Sequence, residues 1–224
     1  MITLKELEEH LAELKNGKAP GLDNTPNELL KNMGPDAKDK TRIYFNSMIK
    51  DEETMKSWKG GNVKLVHKRN DRSKLSNYRP ITLTSNWHKL FARIMNARLR
   101  RVCELAGILP EEQNGFREGR STIDNVFTLI TLMEKAEKTK VPLHLSFIDL
   151  AKAYDSVDRV ILWKKMKQLG FSESFIKILK SMYSDDTLEC QMGRISTEKI
   201  YLRRGLRQGC NLLFAISSIC YLCD

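Results

Sequence analysis

Proline is scarce, at 6 residues, and the 12 glycines follow no period in a chain of 224, which excludes collagen-like and low-complexity classes. Cysteine is sparse and odd in number. Cys103, Cys190, Cys210, Cys220 and Cys223 make no disulfide framework in a chain of this length, so reduced thiols are expected. Cys220 and Cys223 form one CxxC, but no second pair stands at zinc spacing, and core packing is the expected role. No apolar run reaches the roughly 20 residues of a membrane span; Leu212 to Cys223 is broken by Ser217 and Ser218. No membrane partner is expected. An apolar leader is missing too, since Lys5, Glu6, Glu8 and Glu9 occupy its place, and an intracellular protein is expected. Acidic residues are in deficit, 28 against 38 basic, for a net charge of +10. What is plentiful is apolar residue, 41%, enough for one large globular domain or two small ones.

The basic excess is concentrated. Residues 56–120 hold 15 Lys plus Arg against 5 Asp plus Glu, so this stretch carries the whole net charge. A solvated basic face is the ordinary meaning of such a run. Clustering on this scale points further, to a polyanion whose phosphates release counterions when neutralised.

Periodicity predicts the elements. Thr3 and Glu6 form a capping box before Leu4, Leu7, Leu11 and Leu14, and Gly17 stops that helix. Thr25 as cap with Pro26 in first position starts a second helix, ended by Gly34 and Pro35, and a third spans about 37 to 56. NVKLVHK at 62–68 alternates as a strand, and YRPITL returns antiparallel after a polar turn. A long helix from 85 to 104 has one apolar face of Trp87, Leu90, Phe91, Ile94, Met95, Leu99 and Val102, and another starts near Ser121 and carries Ile123, Val126, Phe127, Ile130 and Met133. Val141, Leu143, Leu145 and Phe147 alternate as a strand ending at Asp149. Helices at 158–169 and 173–183 precede a strand through Leu188, Cys190 and Met192, which turns at Gly193 and Arg194. The fold class is α+β, helices around a small antiparallel sheet.

An aspartate at a strand exit suits metal chemistry, because the sheet fixes its backbone while the carboxylate projects beyond the last rung. Asp149 holds that position, although capping the following turn is the commoner duty of such a residue. The strings NYRPITLTSNWHKLFARIMNARL, QNGFREGRSTID, FIDLAKAYDSVD and GLRQGC, in this order, resemble the reverse transcriptase domain of non-LTR (LINE-type) retrotransposons. The likeness covers about residues 14 to 214. It implies a right-hand polymerase, with N-terminal helices and fingers at 1–140 and an incomplete palm at 141–224. It implies RNA template, DNA primer and deoxynucleoside triphosphates as partners, and Mg2+ as cofactor held by Asp149 and the Leu150 carbonyl. Hard divalent cations take carboxylate oxygens, and two of them serve nucleotidyl transfer. By the same likeness, Lys68 and Arg79 hold the triphosphate, Tyr154 selects deoxyribose, and Gln208 and Gly209 lie against the nascent base pair. Gln113, Phe116 and Arg117 contact the template strand. Core packing is the plain alternative for Tyr154 and Phe116, and a simple turn for Gly209.

The family's second carboxylate motif, an aromatic residue, any residue and two aspartates, belongs after GLRQGC and is not found there. Tyr183-Ser184-Asp185-Asp186 has the letters, but it precedes GLRQGC and closes a helix built on Phe175, Ile176, Leu179 and Met182. The expectation is a polymerase domain fragment that is inactive alone. The alternative is a catalytically dead basic RNA-binding module.

Overall fold

The computed structural model describes residues 1–150, 152–192, 195–207, 212 and 219, with no side-chain description at 191–195. The opening helix, α1 (Leu4–Ala12), carries the expected capping box. The next, α2 (Asn27–Lys31), begins one residue later than expected, because the Thr25 hydroxyl turns back to the Asp23 carbonyl and Pro26 takes the cap position. Helix α3 (Pro35–Asp51) stops short of residue 56, where Glu52 adopts a left-handed conformation and a 3-10 turn at Lys56–Trp58 follows. Strands β1 (Gly60–His67) and β2 (Tyr78–Leu83) pair antiparallel as the alternation requires. The turn between them is fixed by Asp71, which accepts from the Ser73 amide at 2.9 Å and, through its carbonyl, from Asn77 at 2.7 Å.

Helix α4 (Asn86–Leu105) is the spine of the core. Its face of Leu90, Phe91, Ile94, Met95 and Leu99 is buried against Leu7 and Leu11 of α1 and Phe45 of α3. Each such side chain contributes roughly 1.5–3 kcal/mol on leaving water. Phe45 packs edge-on against both Phe91 and Trp58, with ring centroids 5.2 and 6.2 Å apart. The polar face of α4 is used as well: Arg98 grips Glu6 and Arg93 pairs with Glu13, each within 2.8 Å. The same core cluster takes in α6 (Arg159–Gln168) and α7 (Glu173–Tyr183) through Leu162, Met166, Ile176, Leu179 and Met182.

Strand β3 (Thr187–Met192) lies beside β1 in parallel register, Gly60 opposite Thr187 and Val63 opposite Cys190. Two short strands, β4 (Ile195–Ser196) and β5 (Ile200–Tyr201), pair antiparallel with β3. The five-stranded sheet is therefore mixed rather than antiparallel, a correction to the expected architecture. Alternation reveals a strand's buried face but carries no information about its direction, and more than a hundred intervening residues leave ample room for a crossover.

A second correction concerns residues 141–149. They are exposed and form no strand, and Phe147 and Ile148 are 83% and 87% exposed. Alternating apolar residues form a ladder only when a partner strand lies alongside; β1 and β3 are flanked on both sides, and 141–149 does not pair with the edge strand β2. The preceding helix α5 (Thr122–Thr139) has the Ser121–Asp124 capping box but no buried residue. Residues 121–150 thus stand off the core as a projecting arm.

Candidate functional site

Three of the stretches singled out in the sequence converge on observable geometry. In the β1–β2 pair, Val63, Leu65 and His67 share one face with Thr82, Pro80 and Tyr78; Val63 and Thr82 are buried. The opposite face carries Lys64, Val66, Arg79 and Ile81. Arg79 is registered against Val66, and the Lys68 amide donates to the Asn77 carbonyl at 2.9 Å. Lys68 and Arg79 are therefore diagonal neighbours at the turn end of the pair, both exposed, on its outward face. A compact ammonium beside a planar guanidinium can grip adjacent phosphate oxygens.

The AYDSVD and GLRQGC stretches meet each other. The Leu206 amide donates to the Tyr154 carbonyl at 2.9 Å, and the Gly205 amide to the Val157 carbonyl at the same distance. Gly205 has φ +78°, and a Cβ there would stand 2.8 Å from the Asp155 carbonyl oxygen, so this closure requires glycine. Tyr154 is partly buried against the core at this junction. Gln208 and Gly209, next along the chain, lie outside the described residues.

Arg207 is the anchor of this junction. Its guanidinium is fully buried, donating to the Trp58 carbonyl at 3.1 Å and the Met182 carbonyl at 2.9 Å, and lying 2.8 Å from the equally buried carboxylate of Asp186. Arg159 approaches Asp186 at 3.4 Å, donates to the carbonyls of Gly205, Tyr183 and Leu202, and lies over the Tyr183 ring at 5.2 Å. Burial pushes the Asp186 carboxyl up from its ordinary value, while the two guanidinium groups pull it down. Asp185, its neighbour, is exposed and stands 3.7 Å from Lys59. The YSDD letters thus close α7 and seal a buried ion cluster. The sequence carried little signal for this cluster, since Arg207 stands between Leu206 and Gln208 among other arginines; its burial is what demands a charged partner.

The remaining candidates are dispersed. Arg117 makes a two-pronged bond to Glu104 at 3.0 and 2.8 Å, donates to the Pro110 carbonyl at 2.9 Å and stands 3.7 Å from Glu111. Its hydrogen bond holds the Glu104 carboxyl below its ordinary value. Its charge here ties the 106–120 loop to the end of α4. Phe116 has φ 63°, is half exposed and accepts a bond from Arg100 at its carbonyl. Gln113 is partly buried, its amide bonded to the Pro110 carbonyl at 3.1 Å.

Asp149 and Leu150 lie at the exposed end of the arm, without a strand to hold them. Among the described residues, no group of three or more His, Cys, Asp or Glu side chains gathers to hold a metal ion. A pair of magnesium ions needs several carboxylate oxygens at fixed positions, so the described residues do not fit that group.

Comparison with known proteins supplies the family. The chain is 30% identical over 229 residues to the transposon TX1 uncharacterized 149 kDa protein of Xenopus laevis, covering 99% of this chain and 17% of that one. It is 30% identical over 209 residues to the probable RNA-directed DNA polymerase from transposon BS of Drosophila melanogaster, covering 93% and 23%. With the X-element polymerase of the same fly the identity is 32% over 165 residues, 73% of this chain and 18% of that one. The chain therefore spans about a fifth of the length of these curated relatives. The reverse transcriptase (RNA-dependent DNA polymerase) family matches residues 66–221, from the end of β1 through the Arg207 anchor, and the chain belongs to that family.

Proposed function

We propose that this stretch of chain forms the fingers (1–140) and the beginning of the palm (141–224) of an RNA-directed DNA polymerase, and engages an RNA template, a DNA primer and deoxynucleoside triphosphates. The observation that carries the reading is the paired, outward-facing Lys68 and Arg79 at the turn end of the β1–β2 pair, inside the stretch that holds all the excess positive charge. Tyr154, packed where the AYDSVD and GLRQGC stretches close on each other, is proposed to face the deoxyribose, and Gln208 with Gly209 the nascent pair. Gln113, Phe116 and Arg117 are proposed to lie along the template. Asp149 with the Leu150 carbonyl is proposed as one contributor to a magnesium site whose further carboxylates the described residues do not supply. Taken alone, the stretch binds and does not extend.

The test is the affinity for a fluorescent RNA–DNA hybrid, read by anisotropy across salt concentrations. A log–log slope of about −0.9 per neutralised phosphate is expected, made shallower by about one unit for each of Lys68→Ala and Arg79→Ala. Binding that ignores both substitutions refutes the assignment. Magnesium-dependent primer extension by the chain alone, abolished in Asp149→Ala, would overturn its proposed inactivity.

A further inference from the structure

Two cavities adjoin between α3, the 3-10 turn and the start of β1. The first, of about 430 Å³, is walled by Phe45, Trp58, Tyr44, Trp87, Leu22 and Met55, with Lys40 also on its lining. The second, of about 380 Å³, is lined by Lys56, Lys59 and Lys199 together with Asp185 and Glu189. Leu22, Ser57 and Gly60 line both, so the aromatic cavity opens beside the lysine-lined one across a low wall. One lysine there, Lys59, is engaged at 3.7 Å by Asp185. The loop that forms the near wall is firmly seated: Gly21 packs on the Thr84–Ser85 backbone, and Ser85 donates to Asp23 at 2.5 Å. The site is built in advance of any ligand.

We infer that this pair of cavities binds one unpaired nucleotide of a single nucleic-acid strand, its base among the aromatic side chains and its phosphate among the lysines. The inference rests on the proposed nucleic-acid function and adds a site apart from Lys68, Arg79 and Asp149. The aromatic cavity has the size and lining of a small-ligand site. Stacking on the less buried rings of its lining, Tyr44 and Trp87, would hold a base whatever its identity. An uncharged apolar guest would use the first cavity and leave the second idle. A base with its phosphate uses both, and a strand continues along the positive 56–120 stretch.

The experiment uses the whole chain and a single-stranded RNA of about ten nucleotides carrying one 2-aminopurine, whose emission falls when it stacks. Emission is expected to fall on binding, and Tyr44→Ala, a residue 44% exposed at the cavity, weakens binding about tenfold and restores emission. Lys56→Ala is expected to make the salt slope shallower by about one unit without restoring emission. If Tyr44→Ala does not fold, Tyr44→Leu, which keeps apolar bulk and loses the ring, is read the same way. Quenching and affinity unchanged in the Tyr44 variant overturn the proposal, as does equal quenching by the free 2-aminopurine nucleoside, which has no phosphate. Competition by free nucleoside monophosphate separates a mononucleotide site from a strand site: displacement at concentrations near those of the oligonucleotide overturns the strand assignment. The Lys68→Ala/Arg79→Ala double variant separates the two readings, since it should lose hybrid affinity while the quenching persists.

Discussion

Replacing Arg207 with alanine takes one partner out of a fully buried ion pair and two donors from buried backbone carbonyls. Among the described residues, Asp186 would keep only Arg159, at 3.4 Å, as an ion-pair partner. Removing one member of a buried pair costs about 3–5 kcal/mol, and each carbonyl left without a donor adds to the loss rather than relieving it. A chain of this size loses about 2–4 °C of melting temperature per kcal/mol, so a drop of roughly 6–20 °C is expected. Since native chains hold only about 5–15 kcal/mol in total, a large share of the stability is at stake. Urea unfolding followed by circular dichroism measures it directly. The paired control is Asp186→Leu/Arg207→Met, which removes both charges of the pair; since Arg159 then loses Asp186 and the two carbonyls still lack donors, it should recover only part of the loss. A loss below about 1 kcal/mol in Arg207→Ala would refute the claim that this cluster joins the Trp58 turn, α7 and the Gly205–Arg207 segment.

Three further outcomes follow from single features. His88 is buried against Trp58, neither ring nitrogen has a hydrogen-bond partner among the described residues, and burial, then the Arg207 and Lys89 charges, lower its pKa to about 3. The unfolded chain takes up that proton near the ordinary 6.5, so stability should fall by up to about 1.4 kcal/mol per pH unit between 6.5 and 3. In His88→Phe that fall should vanish from denaturant titrations across the same window. Gly21→Ala would set a Cβ 2.4 Å from the Thr84 carbonyl carbon, and calorimetry should show a loss of about 1–3 kcal/mol. Asp149→Ala touches an exposed position and should leave the unfolding free energy within about 0.5 kcal/mol of the parent, read by urea denaturation.

Much of the helical framework could be read from spacing alone, because a helix satisfies its own backbone and advertises its buried face every three or four residues. The capping box at Thr3 marked the start of its helix, and the helix expected near Ser121 begins at Thr122. The β1–β2 pair was legible for a related reason: its turn residues and alternation are close together in the chain. The parallel β1–β3 ladder was not, since its strands are separated by more than a hundred residues and periodicity contains no partner. For the same reason 141–149 looked like a strand; the pattern described a capacity, and the pairing was absent. Within the candidate site, Lys68 and Arg79 were found through the family likeness and their shared face through register. The Asp186–Arg207 pair was visible only as letters, because burial and proximity, rather than order along the chain, make it an anchor.

The parallel ladder between β1 and β3 has a consequence for the arm that projects between them. The chain segments before and after residues 121–150 share one apolar core and one sheet, and the arm contributes little to either. A protease nick at 141–150 would therefore sever the covalent thread without dividing the particle. The two fragments should migrate together until denaturant parts them, and two separately expressed halves split at that place should reassemble.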